Sequence, residues 1–251
     1  KKIIIIIPAR LESKRLPNKV LKIIDGEPMI VKVAKNSKNL NIGDVVVASG
    51  NEEICKVLNK FKIKNVLTSK DHKSGTDRIY EAFKKICEDD NEIIINIQGD
   101  EPLINPNDIK KCIILKKNNP NKIINGFCYI NENDDPSSKN IPKVVTDIND
   151  NLLYISRNLI PAHKEDKYLR SLNYKKQVCI YGFNTNELKK FHDFGKKSFL
   201  EEIEDIEILR FIELNMKVKM FECSKGSLAV DIPSDLEKVK KELFRKSNLK
   251  W

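Results

Sequence analysis

The apolar positions of the chain fall into two kinds of pattern, and together they predict an α/β fold. Short continuous apolar runs, typical of strands buried on both faces of a parallel sheet, occur at Ile3–Ile7, Asp44–Ala48 and Glu92–Ile97. Apolar residues at helical spacing predict helices over Met29–Asn39, Glu52–Phe61 and Thr76–Glu88. The order β-α-β-α-β requires right-handed crossovers, with helices on both faces of the sheet.

From about residue 124 the pattern changes and predicts a different arrangement. Lys143–Asp147 and Leu152–Ser156, joined by an Asn-Asp-Asn turn, are typical of a hairpin. The rest of the chain predicts strands over Val178–Phe183 and Val218–Glu222, and helices over Phe199–Asn215 and Pro233–Phe244. We therefore predict a single domain over residues 1–251, with a smaller lobe inserted at about 135–190.

Composition agrees with a soluble globular protein. Hydrophobic residues make up 40% of the chain and charged residues 33%, and no apolar run approaches the roughly 20 residues that cross a bilayer. The run Ile3–Ile7 is too short for a secretion signal, and no small-residue cleavage site follows it. We expect a cytoplasmic protein without membrane insertion.

The charge and the cysteines exclude further classes. The formal net charge is +10, but the lysines are spread along the whole chain, which indicates a solvated surface and no nucleic-acid partner. The six cysteines contain no C-x-x-C pair, and the three histidines are isolated. Neither a disulfide framework nor a zinc site is expected.

Candidate chemistry follows the predicted strands, at the sheet edge where α/β proteins bind ligands. The loop after the first strand carries Arg10, Arg15 and Lys19, cations that suit a triphosphate. The loop contains no glycine, so it is neither a Walker A loop nor a dinucleotide-binding turn. The alternative interpretation is a plain basic loop.

Three more segments have both a functional and a structural interpretation. Ser74 in Asp71–Arg78 either lies beside a nucleotide or caps a helix. Gln98–Pro102 either presents Asp100 to Mg²⁺ or is a strand-ending turn. Asp231 is a second carboxylate candidate or a helix cap, and sequence spacing does not show whether it approaches Asp100.

Taken in order, these motifs resemble one family. They read IIPAR-x4-RLP-x-K, D-G-x-P-M-I, D-H-x-S-G-T-D-R, Q-G-D-E-P, Y-x-S-R, I-Y-G and V-D-x-P-x-D-L. The set is similar to that of the 3-deoxy-manno-octulosonate (Kdo) cytidylyltransferases and spans residues 3–240. The resemblance implies a Rossmann-like nucleotidyltransferase sheet, with an extra small sheet that helps to form a homodimer.

The resemblance also implies the reaction and the site. CMP would pass from CTP to the anomeric hydroxyl of a 2-keto-3-deoxy sugar acid, Kdo, with Mg²⁺ as cofactor, release of pyrophosphate, and a product for lipopolysaccharide or capsule synthesis. The catalytic residues would be Lys19, Asp100 and Asp231, and the last two would bind the metal. The nucleotide would lie against Arg10, Arg15, Lys19, Ser74, Arg78 and Gln98. The sugar acid would lie against Lys143, Arg157, Gln177, Tyr181, Glu207 and Ile208.

Three positions depart from the family pattern. Gln177 stands where the family usually has His, Ile208 where it has Gln, and Ile232 where it has Thr. Gln177 and Ile208 belong to the implied sugar pocket, so they indicate either drift or a modified substrate, such as 8-amino-Kdo or another ulosonic acid. More distant alternatives are a non-catalytic nucleotide-binding protein, against which the intact carboxylates argue, and a basic RNA-binding protein, for which no recognition motif is present.

Overall fold

The strands and helices are defined in the computed structural model, which describes residues 2–13, 15–87, 92–131, 134–164, 173–224 and 228–248. In chain order they are β1 (Ile3–Ala9), a 3-10 turn (Lys19–Leu21), β2 (Ile23–Ile24), β3 (Glu27–Pro28), α1 (Met29–Lys38), β4 (Asp44–Ser49), α2 (Glu52–Lys60), β5 (Asn65–Leu67), α3 (Gly75–Ile86), β6 (Ile93–Ile97), α4 (Pro106–Asn118), β7 (Ile123–Tyr129), β8 (Lys143–Thr146), β9 (Leu152–Ser156), β10 (Lys175–Asn184), α5 (Thr185–Asp193), α6 (Phe199–Glu204), α7 (Ile208–Glu213), β11 (Val218–Glu222) and α8 (Pro233–Asn248).

One large, mostly parallel sheet organises the described residues. Seven strands follow the order β11-β7-β10-β6-β1-β4-β5, and a short ribbon of β2 and β3 stands apart. Strand β1 is parallel to β4 and β6, β4 is parallel to β5, and β7 is parallel to β11. Strand β10 runs antiparallel between β6 and β7. The α/β class is confirmed, with β10 as the antiparallel exception.

Helices cover both faces of the sheet, as predicted. Side chains of β1 alternate between two hydrophobic clusters, because successive residues of a strand point to opposite faces. Ile5 and Ile7 pack in the cluster that contains residues of α1, α2 and α4. Ile4 and Ile6 pack in the cluster that contains residues of α3, α5 and α7. The strand is therefore apolar at every position because both of its faces are buried.

Most of the predicted elements are confirmed, but the helix predicted over Phe199–Asn215 is wrong. It is divided into α6 and α7, and Asp205 between them has a φ of 51°, which no right-handed helix accepts. The elements that were missed are the 3-10 turn, the short strands β2 and β3, and β5, α4, β7 and α5. Helix α3 ends at Ile86, and the predicted end at Glu88 lies outside the described residues.

The hairpin of β8 and β9 is continuous with the large sheet. Strand β8 pairs with β9 and, through Lys143 and Val144, with the start of β10. Strand β10 itself lies in the middle of the sheet, and residues 165–172 of the predicted lobe lie outside the described residues. The dimerisation role of the lobe stays a prediction. None of the described helices is long and apolar enough to cross a membrane.

Candidate active site

Two carboxylates meet at the carboxyl edge of the sheet, on either side of one lysine. Asp100 follows β6, and Asp231 precedes α8. Lys19 Nζ donates to Asp231 Oδ1 at 3.1 Å and also forms an ion pair with Asp100. The amide of Val230 donates to the carbonyl oxygen of Asp100 at 2.9 Å, which holds the two segments together. The proximity that sequence spacing left open is therefore present.

The cations around these carboxylates come from the loop after β1. Arg15 Nη2 lies 3.1 Å from Asp231 Oδ2. Burial disfavours the charged form of Lys19, but Asp100 and Asp231 outweigh that effect and raise the pKa of Lys19 above its ordinary value. The ammonium therefore stays charged at neutral pH. Two carboxylates in this position fit Mg²⁺, which takes one or two carboxylates together with phosphate oxygens and water.

Arg10 and Gln98 lie at the same edge as the carboxylates. Arg10 is exposed after β1, and Gln98 is partly buried after the neighbouring strand β6. A Cβ atom on Gly99 would lie 2.8 Å from Ile30 Cδ1 and 3.1 Å from the carbonyl oxygen of Pro8. The turn that carries Asp100 therefore packs closely on the end of β1 because residue 99 has no side chain.

Ser74 and Arg78 lie at the start of α3 and shape the loop before it. The Ser74 hydroxyl accepts from the amide of Asp77 at 3.0 Å and donates to its carboxylate at 2.6 Å, so the helix-cap interpretation is correct. The buried Arg78 donates through Nη1 to Thr68 Oγ1 at 2.6 Å and to the carbonyl oxygen of Ser69 at 3.0 Å. Their predicted contact with cytidine stays a prediction.

Glu81, one turn further along α3, anchors the same loop. Its carboxylate accepts from the amide of Ser69 at 3.0 Å and contacts His72 and Lys85. Burial alone would raise the pKa of Glu81, but the hydrogen bonds from Lys85, Ser69 and His72 outweigh it and lower the pKa from 4.5 to about 2. The loop is thereby tied to the helix by a carboxylate that stays ionised.

Glu207 has a structural task that the sequence did not indicate. It precedes α7, and its carboxylate accepts from the amide of Gly75 at 2.8 Å and from the amide and hydroxyl of Thr76 at 2.9 and 2.6 Å. A carboxylate at a helix N-terminus satisfies free amides and opposes the positive end of the helix dipole. Glu207 therefore joins the predicted sugar pocket to the start of α3.

Lys143 and Arg157 also use their donors within the protein. Lys143 is fully buried, and its Nζ donates to the carbonyl oxygens of Ser138 at 2.9 Å and Arg157 at 2.5 Å. Burial lowers the pKa of Lys143, despite the nearby carboxylates. Arg157 donates to the carbonyl oxygens of Glu204, Lys139 and Asp205 at 2.5, 3.0 and 3.0 Å. Arg157 therefore braces the end of the hairpin against the link between α6 and α7, and Lys143 joins β8 to the loop before it and to Arg157.

Gln177 and Tyr181 are brought together on β10, next to a residue that the sequence analysis missed. Gln177 Nε2 donates to the hydroxyl oxygen of Tyr181 at 3.1 Å and to Asn125 Oδ1 at 3.0 Å. Burial raises the pKa of Tyr181 well above its ordinary value, and Glu207 nearby adds to the effect. Asn125 lies within β7 and carries no motif, so no sequence signal singles it out.

Ile208 is fully buried in the second hydrophobic cluster, among core residues. Two residues later, the buried Arg210 donates to both oxygens of Glu201 at 2.5 and 2.7 Å and stacks 3.6 Å from the centre of the Phe191 ring. Its Nη1 also lies 3.4 Å from Asp77. The replacement at position 208 thus lies in the core, and the neighbouring ion pair secures α7 to α6 and α3.

Known proteins resemble this chain over most of its length. The cytidylyltransferase family model matches residues 4–219. The 3-deoxy-manno-octulosonate cytidylyltransferase of Nitratiruptor sp. is 39% identical over 246 residues, covering 96% of this chain and 99% of the relative. That of Helicobacter pylori strain P12 is 38% identical over 233 residues, with coverage of 93% and 94%.

A solved structure extends the likeness to the whole fold. The structure of CMP:2-keto-3-deoxy-manno-octonic acid synthetase complexed with CTP superposes with a TM-score of 0.87 at 31% identity, covering 98% of this chain and 100% of that one. Sequence and fold thus agree over nearly the full length. The chain belongs to the cytidylyltransferase family, in the group of the 3-deoxy-manno-octulosonate cytidylyltransferases.

Proposed function

We propose that the protein transfers CMP from CTP to the anomeric hydroxyl of a 2-keto-3-deoxy sugar acid, Kdo, and releases pyrophosphate. The convergence of Asp100 and Asp231 beside Lys19 and Arg15 is the observation that carries the proposal. Relatives named for this reaction and a related structure complexed with CTP support it.

In the proposed reaction the chain contributes placement and charge. The sugar hydroxyl attacks the α-phosphorus of CTP, and the attacking oxygen and the leaving pyrophosphate must lie in line. Arg10, Arg15 and Lys19 bind the phosphates and offset the negative charge that grows on pyrophosphate. Mg²⁺, bound by Asp100 and Asp231, would supply Lewis-acid activation of the phosphate and of the attacking hydroxyl.

Lys19 changes partners in this proposal. Its ammonium now pairs with both candidate metal carboxylates. If Asp100 and Asp231 held a divalent cation, the ammonium of Lys19 would be repelled from them and attracted by the triphosphate. We therefore propose that Lys19 turns toward the phosphates when the nucleotide and the metal bind together.

The test is pyrophosphate release with Mg²⁺ and each of CTP, UTP, ATP and GTP, against Kdo, 8-amino-Kdo and sialic acid. Turnover with CTP and Kdo supports the proposal, and a preference for another acid retains the nucleotide assignment but changes the sugar. Asp100→Ala is expected to fold normally and to lose at least about a hundredfold in kcat. Asp44→Ala, which loses a partner of Lys64 at the opposite edge of the sheet, is the matched control.

A homodimer is the second part of the proposal. Helix α6 leaves Phe199 and Ile203, one turn apart, 74% and 70% exposed, and large apolar side chains on one helix face are typical of interfaces. We propose that a second copy of the chain covers them. Sedimentation equilibrium should show a dimer, which Ile203→Glu weakens and Ile114→Glu, at an exposed position of α4 outside the predicted lobe, does not. A monomeric wild type contradicts this part alone.

A further inference from the structure

Strand β10 contains an irregularity beside the candidate active site. Val178 is paired with Gly126 and Tyr181 with Asn125, so two residues of β10 lie opposite no residue of β7. Such a bulge leaves backbone groups without ladder partners. A Cβ atom on Gly126 would lie 2.6 Å from Cys223 Sγ and 3.2 Å from the carbonyl oxygen of Val178, so the strands approach closely here.

Asn125 replaces the missing ladder bonds, and this fixes the orientation of its amide. Its Nδ2 donates to the carbonyl oxygens of Val178 at 3.1 Å and Ile180 at 3.0 Å. Two carbonyl oxygens accept and cannot donate, so the nitrogen must face them and Oδ1 must face away. The side chain is fully buried, so water does not replace either contact.

The orientation of Asn125 determines that of Gln177. Because Asn125 presents an oxygen, Gln177 must present its amide nitrogen, and Nε2 donates to it at 3.0 Å. The second hydrogen of the same nitrogen is directed to the hydroxyl oxygen of Tyr181 at 3.1 Å. Both Nε2 hydrogens are thus engaged, and the carbonyl oxygen Oε1 is turned away from Asn125.

Gln177 Oε1 remains available to a ligand. Within the described part of the chain, no side chain or amide donates to it, and it is not among the buried polar atoms that lack a partner. Gln177 itself is partly exposed. Strand β10 runs antiparallel to β6 with Ile180 opposite Ile97, so Gln177 lies at the same edge of the sheet as Asp100. The oxygen therefore lies beside the candidate active site.

We infer that Asn125 is a positioning residue that fixes Gln177 with its carbonyl oxygen toward the sugar acid, so that the site selects for a hydroxyl or ammonium donor at that point. The inference rests on the proposed function and deepens it. A side chain held as an acceptor discriminates against a substrate that lacks the matching donor, because the acceptor would then be desolvated without a partner.

The test is a comparison of Kdo with Kdo analogues that each lack one hydroxyl group, at saturating CTP. The wild type should lose at least about tenfold in kcat/KM with one analogue. For Gln177→Met and for Asn125→Ala, kcat/KM with Kdo should fall about tenfold from the wild-type value, with no further fall when that analogue replaces Kdo. The kcat/KM of the double variant should be no lower than that of either single variant. The KM for CTP should stay within about twofold of the wild type.

Asn184→Ala is the matched control, since Asn184 lies at the other end of β10 and its side chain caps α5 and donates to Pro120. It should lower stability but retain the discrimination. If both test variants keep the wild-type response to the analogues, or if the KM for CTP rises in parallel, the inference is wrong. If Asn125→Ala does not fold, Asn125→Ser, which removes the carbonyl oxygen that orients Gln177 but keeps a hydroxyl donor, takes its place in the test. No turnover by the wild type with any sugar acid overturns the proposed function and this inference with it.

Discussion

Replacing Glu207 separates its structural task from the sugar-binding role that the family resemblance implies. The carboxylate accepts three hydrogen bonds at the start of α3, two from backbone amides and one from a hydroxyl. Glu207→Gln keeps one acceptor oxygen and places an NH₂ group against a donor. We expect this variant to weaken folding and nucleotide binding together.

The magnitude follows from these contacts. Hydrogen bonds to a charged group contribute about 1.5–3 kcal/mol each, and a carboxylate at a helix N-terminus adds about 0.3–1 kcal/mol. The contributions are not additive, and Glu207 is partly exposed, so water replaces part of what is lost. We expect the free energy of unfolding to fall by about 2 kcal/mol for Glu207→Gln and by about 3 kcal/mol for Glu207→Ala.

Chemical denaturation gives the stability change, and steady-state kinetics give KM for CTP and for Kdo. Glu213→Gln is the control, because Glu213 ends α7, the helix that Glu207 precedes, and accepts from the exposed amide of Leu200 at 3.0 Å. It should change stability by less than about 0.5 kcal/mol. The KM for CTP should rise about tenfold in Glu207→Gln, since Ser74 and Arg78, the predicted nucleotide residues, lie at the start of α3. Unchanged stability with a rise confined to the KM for Kdo would refute this reasoning and restore the sugar-binding role.

Three further predictions concern other charged groups. Glu187→Gln should lower the free energy of unfolding by about 3–5 kcal/mol, as measured by urea denaturation, because Lys116 Nζ donates to both oxygens of Glu187 at 2.7 Å and both side chains are buried. The double replacement Lys116→Met with Glu187→Leu should recover most of that stability. The pKa of Glu81 is lowered from 4.5 to about 2 in the folded state, so its stabilising effect is complete above the ordinary pKa and is lost as the pH falls toward 2. Glu81→Gln should therefore make the free energy of unfolding depend less steeply on pH between about pH 5 and 2. An unchanged pH dependence in this range would contradict the lowered pKa of Glu81. Asp231→Asn should weaken Mg²⁺ binding in the presence of CTP by at least about tenfold, as measured by calorimetry. An unchanged affinity would show that Asp231 is not part of the proposed metal site.

The sequence predicted best those elements whose burial is the same all along their length. Strand β1 is apolar because both of its faces are buried, and its pattern needs no tertiary information. Strand β7 was missed because it contains Asn125 and Gly126, and an Asn-Gly pair is normally a turn signal. Helix α4 was missed because its buried positions include Asp108 and Lys116, whose charges are satisfied by distant partners. Such pairings depend on the tertiary structure and cannot be predicted from local sequence patterns.

Of the candidate site, the sequence predicted the residues that directly follow a strand. Asp100 follows an apolar strand, so its place at the ligand-binding edge follows from general rules of α/β sheets. Its contact with Lys19, and the helix break that lets Glu207 reach α3, depend on long-range folding. Lys143 and Arg157 show the same limit, since their charge indicated a ligand while their donors bind backbone carbonyl oxygens.

The antiparallel strand β10 also determines when the sheet can close during synthesis. Strand β6, with the sequence Ile-Ile-Ile-Asn-Ile, pairs with β1 on one side and with β10 on the other. A nascent chain that ends before residue 175 therefore presents β6 as an open apolar edge, the kind of edge that pairs with other chains. Strands β7 and β11 cannot join the first half until β10 lies between them. Strands β1, β4, β5 and β6 thus depend on a late segment of the chain for protection against aggregation, and truncation within β10 should yield insoluble protein.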